Sequence, residues 1–146
     1  MPSTGDIPDP FMNFNFLVEI QGIIRAGFHQ VSGLDATIDV VEHREGGENT
    51  TTRKLPGMTK HGNLQLRRGM TTDTTLHDWH RRVVEGTTER HNTSVIVLDR
   101  AGQEVARWDF HRAWPTKYQG PDFNAEGNDV AIEMIELAHE GVKRKK

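Results

Sequence analysis

His77 and His80 stand three residues apart, a spacing that brings two imidazoles to one face of a helix and can begin a metal site. A catalytic zinc needs a third protein ligand and a structural zinc a fourth. The only nearby carboxylates are Asp73 and Asp78, and no HExxH spacing or equivalent cluster occurs. No metal is expected. Nucleophilic chemistry has less support still: there is no cysteine and no G-x-S-x-G, and Ser3, Ser32 and Ser94 have no partner suggested by spacing. Gly46-Gly47 and Gly57-Met58-Thr59-Lys60 lack the G-K-[ST] of a phosphate cradle and read as turns. Asn49-Thr50-Thr51 and Asn92-Thr93-Ser94 match the glycosylation triplet by chance, since the chain opens without a secretion signal. Trp79, Trp108, Phe110, Trp114 and Tyr118 can form a stacking platform for bases or sugars, although core packing is the commoner use of such residues. Neither an enzyme nor a cofactor is expected.

The elements that position these residues are mainly strands. Phe14, Phe16, Val18 and Ile20 alternate with Asn13, Asn15, Leu17 and Glu19, which predicts a strand with one apolar face; a turn at Gln21-Gly22 and a return over Ile23 to Phe28 complete a hairpin. Ala36 to Glu45 is rich in β-branched residues, Gly46 to Asn49 is a loose tip, and Thr50 to Leu55 climbs back. Pro56-Gly57 reads as punctuation before a further strand, Lys60 to Arg68, in which Leu64 and Leu66 oppose Asn63, Gln65 and Arg67. One helix stands out. Thr74 or Thr75 caps it, Leu76, Trp79 and Val83 mark its buried side, and Gly86 ends it. Ser94 to Phe110 is a hairpin around Arg100-Ala101-Gly102-Gln103. Ala113 to Tyr118 continues extended but broken by Pro115, and Gly120 to Asn128 is a loop. Asp129 to His139 closes the domain, with Val130, Ile132 and Met134 on one face, Glu133 on the other, and a phase shift at Ile135 that suggests a bulge. The expectation is a mainly β fold, an antiparallel barrel or sandwich with one flanking helix and a long protruding hairpin. Residues 1–10 form an arm, 11–141 the domain and 142–146 a solvated basic tail.

A lean apolar content, 34% hydrophobic residues, leaves the long hairpin unable to pack itself, so burial is expected on assembly. The net charge of −3 argues against a dedicated nucleic-acid binder. No stretch approaches a membrane span, and the start lacks the basic and apolar regions of a signal peptide, so synthesis inside the cell is expected.

A series of blocks in order carries a resemblance: Phe14-Asn15-Phe16-Leu17-Val18-Glu19-Ile20, Val31-Ser32-Gly33-Leu34, Arg44-Glu45-Gly46-Gly47, Arg53-Lys54-Leu55-Pro56-Gly57, Leu64-Gln65-Leu66-Arg67-Arg68-Gly69, Leu76-His77-Asp78-Trp79 and Ala113-Trp114-Pro115 among them. Together, over about residues 11 to 141, they resemble the tail tube proteins of contractile phages and of phage-derived extracellular injection particles. The resemblance implies β-barrel domains in hexameric rings, stacked into a tube that is wrapped by a contractile sheath. The further partners it implies are baseplate, spike and tube-terminating proteins, with cargo protein or DNA passing down the lumen. His77 and His80 depart from it, standing where the family often carries apolar or aromatic residues. The hairpin residues expected at inter-subunit contacts are Val40, Val41, Arg44, Glu45, Gly46, Gly47, Arg53, Leu55, Pro56 and Gly57. The lumen wall is expected along Asn63, Gln65, Arg67 and Glu133, unless that face meets outer solvent. Two alternatives stay open: a tube-initiating or baseplate paralogue with the same domain, and a monomeric β-barrel module that binds a ligand through Trp108 and its neighbours.

Overall fold

The alternating opening segment folds as strand β1 (Asn15–Ile20), which buries Val18 and Ile20, in a computed structural model that describes residues 15–44, 46, 52–127 and 130–146. Phe14, expected on the same apolar face, lies outside the described residues. Gly22, at φ +75°, turns the chain into β2 (Ile24–Gly27), which pairs antiparallel with β1. There follow β3 (Gln30–Ser32), β4 (Ala36–His43), β5 (Arg53–His61), β6 (Leu64–Gly69), helix α1 (Thr75–Val84), β7 (His91–Leu98), β8 (Glu104–Gln119), β9 (Ile132–Ala138) and β10 (Gly141–Arg144).

The main sheet runs β2-β1-β7-β8-β9-β6-β3, with β10 on a second edge of β8, while β4 and β5 form a separate two-stranded sheet. The path is open, so the choice between barrel and sandwich falls to a sandwich. Its corner is β8. The first part of β8 pairs with β7 and β10, and the part from Trp114 onward pairs with β9. The change of partners falls beside Arg112, whose φ of 52° is left-handed and bends the strand. The two half-sheets then share one core, Val18, Ile20 and Phe110 against Leu64, Leu66 and Ile135, with Leu76 and Trp79 of α1 in the same cluster.

Several expectations are corrected. Pro56-Gly57 does not end a strand: β5 runs through it, and the chain turns at Gly62-Asn63 instead. Between the Ile38–Thr59 and Val40–Pro56 pairs, β4 has one residue and β5 has two, a bulge at Gly57-Met58. A proline is tolerated there because each strand of a two-stranded sheet has a free edge. The bulge also favours glycine, since a Cβ at Gly57 would stand 2.9 Å from Val41 Cγ2. Pro115 likewise lies within β8, fully buried, at a register shift that carries the irregularity expected in β9. The β6–β9 register itself is unbroken from Leu64–Leu137 to Gly69–Ile132. The core face of β9 is therefore Glu133, Ile135 and Leu137, all buried, while Val130 is exposed. The basic C-terminus is no free tail: β10 pairs with β8, and the Arg144 guanidinium lies over the Trp108 ring at 5.2 Å.

Candidate assembly surfaces

Helix α1 carries His77 and His80, and both rings meet Tyr118 of β8, His77 edge-on at 5.2 Å and His80 tilted at 6.4 Å. Aromatic packing accounts for their spacing, and no group of three or more His, Cys, Asp or Glu able to hold a metal occurs among the described residues. The helix start is held by Asp73, which accepts hydrogen bonds from the Thr75 amide at 3.0 Å and from the Thr75 hydroxyl. Of the two expected caps, Thr74 occupies the cap position but donates its hydroxyl to Asp78 and makes no side-chain cap bond, and Thr75 is the first helical residue. The bonds from Thr75, with a smaller contribution from Arg68, hold the Asp73 carboxyl below its ordinary range. Trp79 is buried, and its indole donates to the Glu89 carbonyl at 3.0 Å.

Beneath α1 lies a buried polar group that the periodicity of β6 conceals. Arg68 follows Leu64 and Leu66 on the core face, and its Nε donates to Glu133 at 2.5 Å. Tyr118 donates to the other Glu133 oxygen at 2.6 Å. Burial first, and then the bond to Glu133, push the Tyr118 phenol up to about 12, so it remains a donor at any working pH. Arg68 also reaches Asp73, and with it the helix start, at 3.5 Å. The signal available in sequence was Arg68 and Glu133 each falling on an otherwise apolar face of its strand.

Glu133 is thus inside the sandwich and does not share a face with Gln65. The residue opposite Gln65 on the outer face is Glu136, whose two oxygens accept from Asn63 at 3.1 Å and Gln65 at 2.8 Å. Those two bonds lower the Glu136 carboxyl from its usual range. Arg67 continues this face, between Gln30 and Met134. The result is a polar wall whose main acceptor is already engaged. The other polar cluster, on the opposite half-sheet, is engaged in the same way. Asp109 accepts from Ser94 at 2.7 Å and from Arg107 at 2.9 Å, so its carboxylate is held by two donors. Burial alone would raise the Asp109 carboxyl, and these two donors outweigh it and hold it low.

The hairpin sheet is the converse. Ile38, Val40, Val41, Leu55 and Met58 are all exposed, Val40 to 63% and Met58 to 71%. The register separates them by face: Ile38, Val40 and Pro56 lie on one side, Val41 and Leu55 on the other. Arg53 opposes His43 at the outer end of the ladder, and Arg44 and Gly46 continue beyond it as exposed residues. Glu45 and Gly47 lie outside the described residues. A two-stranded sheet with apolar side chains on both faces and cover on neither is marginal in water.

A sandwich in which Arg68, Glu133, Glu136 and Asp109 are all engaged by neighbouring side chains, with a two-faced apolar arm at its edge, has the build of a structural subunit made to be joined to others. The chain belongs to the family of the T4-like virus tail tube protein gp19, which it matches over residues 12–143. A search among curated protein sequences finds no match. Among solved structures the chain is similar to a protein in the sheath-tube complex of the extracellular contractile injection system PVC in its extended state, at 30% identity and a TM-score of 0.85, covering 99% of each chain. It is also similar to a protein in the PVC sheath/tube terminator structure, at 29% identity and a TM-score of 0.86, covering 97% of this chain and 100% of that one. A third similar structure is the 6-fold symmetrised baseplate of the anti-feeding prophage, at 29% identity and a TM-score of 0.79, covering 95% and 96%. No helix among the described residues is long and apolar enough to cross a membrane.

Proposed function

We propose that the chain is the inner-tube subunit of a contractile injection particle or phage tail, forming hexameric rings that stack around a lumen through which cargo protein or DNA passes. The observation that carries this reading is the uncovered hairpin, β4–β5, in a chain that matches a sheath-tube complex from end to end. Such a hairpin gains cover and edge hydrogen bonds only from neighbours. Its two apolar faces fit two different neighbours, one beside it in the ring and one in the adjoining ring. The sheath encloses the tube, and a baseplate and a terminator close its ends. The wall of the lumen is the outer face of β6, Asn63, Gln65 and Arg67, with Glu136 in the place first assigned to Glu133. A wall whose carboxylate is already bonded to its own amides offers a passing chain few free polar groups to hold it.

The likeness to the baseplate structure favours a second reading, a tube initiator with the same domain. Electron microscopy of the purified protein separates the two. Stacked tubes of sixfold rings are expected, single rings that never stack would identify the initiator, and monomers at every concentration would overturn both. The wall has its own measurement. The chain has no cysteine, so Gln65→Cys gives one reactive site. A bulky thiol reagent is expected to label it slowly in tubes and quickly in dissociated subunits, and equal rates would move this face to the outside.

A further inference from the structure

Both strands of the exposed hairpin enter the sandwich through one narrow root. There the Gly62 amide donates to the Asp35 carbonyl at 3.2 Å, and Ala36 pairs with His61 as the first rung of the ladder. Gly33, at φ +96°, brings the chain so close that a Cβ would fall 1.9 Å from the Asn63 carbonyl oxygen. The His61 ring sits 5.5 Å from the ring of His139, just past β9, and His139 in turn stands edge-on to Phe110 of the core at 4.9 Å.

We propose that the His61–His139 contact makes this root a pH-sensitive joint, closed while His139 is neutral and loosened when it takes up a proton. The tautomer follows from the contacts. His139 Nε2 lies 3.0 Å from the Gly62 carbonyl, which only accepts, so Nε2 carries the hydrogen and Nδ1 bears the lone pair of the neutral ring. The Nδ1 atoms of both His61 and His139 are buried and without a hydrogen-bond partner. A proton on the His139 Nδ1 would therefore charge a largely desolvated ring beside a second imidazole, with the Gly141 backbone near enough to favour it only in part.

The surrounding charges do not offset this. Asp35, between β3 and β4, favours protonation but is exposed and screened by solvent. Glu140, from the β9–β10 turn, is paired with Arg112 at 3.1 Å. His111, Arg107 and Asp109 of β8, Lys143 of β10, Lys145 and Glu19 line the same cleft as His61, and its two further acids are already engaged, Asp109 by Ser94 and Arg107 and Glu19 by Arg25. Burial is the largest influence on His139. The Gly62 carbonyl opposes it, His61 reinforces it, the Gly141 backbone and Asp35 oppose it, and the net result lies below the ordinary 6.5.

The sign follows. With the joint open, His139 regains an ordinary affinity for protons, so the open form binds more of them as pH falls through 6.5. The stabilisation from the neutral His139 ring is complete above that pH and is lost as pH falls toward the lower value of the closed form. The joint is a property of the single subunit. Its consequence for assembly, tubes that come apart in acid, rests on the tube reading above.

The test uses dissociated full-length subunits with a dye on Met58→Cys, an exposed hairpin position. Dye anisotropy is expected to drop reversibly between about pH 7.5 and 5.5. In His139→Gln, which keeps an amide donor for the Gly62 carbonyl and cannot titrate, the drop should be lost. Removing the neighbouring imidazole with His61→Gln should raise the proton affinity of His139 and shrink the drop. An unchanged drop in His139→Gln would overturn the proposal. So would an NMR titration of the parent chain that places His139 at or above 6.5, a measurement that decides even if the variant fails to fold. Whether tubes form is scored separately by microscopy, so failure of the joint and failure of the tube reading are distinguishable.

Discussion

Replacing residues 38–59, the apolar part of the β4–β5 hairpin, with a short Gly-Ser turn yields a subunit that melts cooperatively but builds no tubes. The reason lies in where the apolar area is. The core is formed by the two half-sheets and α1, and none of its buried members comes from β4 or β5. The hairpin's own apolar residues are exposed in the subunit, so shortening it removes little buried surface, and changes at such exposed sites usually move stability by about 0.5 kcal/mol or less. In an assembly the balance reverses. A valine or leucine covered by a neighbour contributes roughly 1.5–3 kcal/mol, and each ladder bond with a neighbour about 1 kcal/mol, repeated at every subunit of a ring. Single charges divide the effect by face. Val40→Asp and Val41→Asp point in opposite directions from adjacent positions, so one is expected to block ring closure and the other stacking. Sedimentation and microscopy read the outcome. A shortened variant that still forms tubes of normal length would refute the assembly role. Loss of cooperative melting would instead make the hairpin part of the folding unit.

Glu133→Ala is expected to destabilise the subunit by about 3–5 kcal/mol, because it removes the closer partner of the buried Arg68 guanidinium and leaves it only the longer contacts to Asp73. For a domain of this length that lowers Tm by roughly 10 °C, since each kcal/mol is worth about 2–4 °C. The Tyr118 hydroxyl loses its acceptor as well, and Tyr118→Phe alone should cost about 1 kcal/mol. The paired replacement Arg68→Met with Glu133→Leu removes both charges and fills the space, and it should recover most of the loss, as buried ion pairs exchanged for apolar side chains often do. Thermal and urea melts of the three variants measure this. A Glu133→Ala loss below about 1 kcal/mol would mean that water reaches Arg68 and that the pair is not a structural clamp.

Where period and turn chemistry act over a few residues, the chain declared its structure in advance. The alternation of β1, the 64/66 face of β6, the helix that ends at Gly86 with φ +104°, and the β7–β8 turn all follow from local rules. In that turn Asp99 accepts from the Ala101 and Gln103 amides at 2.9 Å each. The ordered blocks also disclosed the family, and the lean composition disclosed a hairpin that cannot cover itself. Partner choice was not legible, because a strand's neighbour is selected by contacts far along the chain. Pro56 and Pro115 look like breaks until a free edge and a register shift supply places where a missing N–H is tolerated. Glu133 reads as a surface residue until Arg68, 65 positions away, supplies its counter-charge. Residues 142–146 read as a solvated tail until the free edge of β8 and the ring of Trp108 receive them. The open sandwich was decided by β8 alone, where one left-handed residue, Arg112, lets a single strand serve two half-sheets. A proline, a buried charge and a strand edge each carry a cost that only a distant segment can remove, and that segment is known only once the chain has folded.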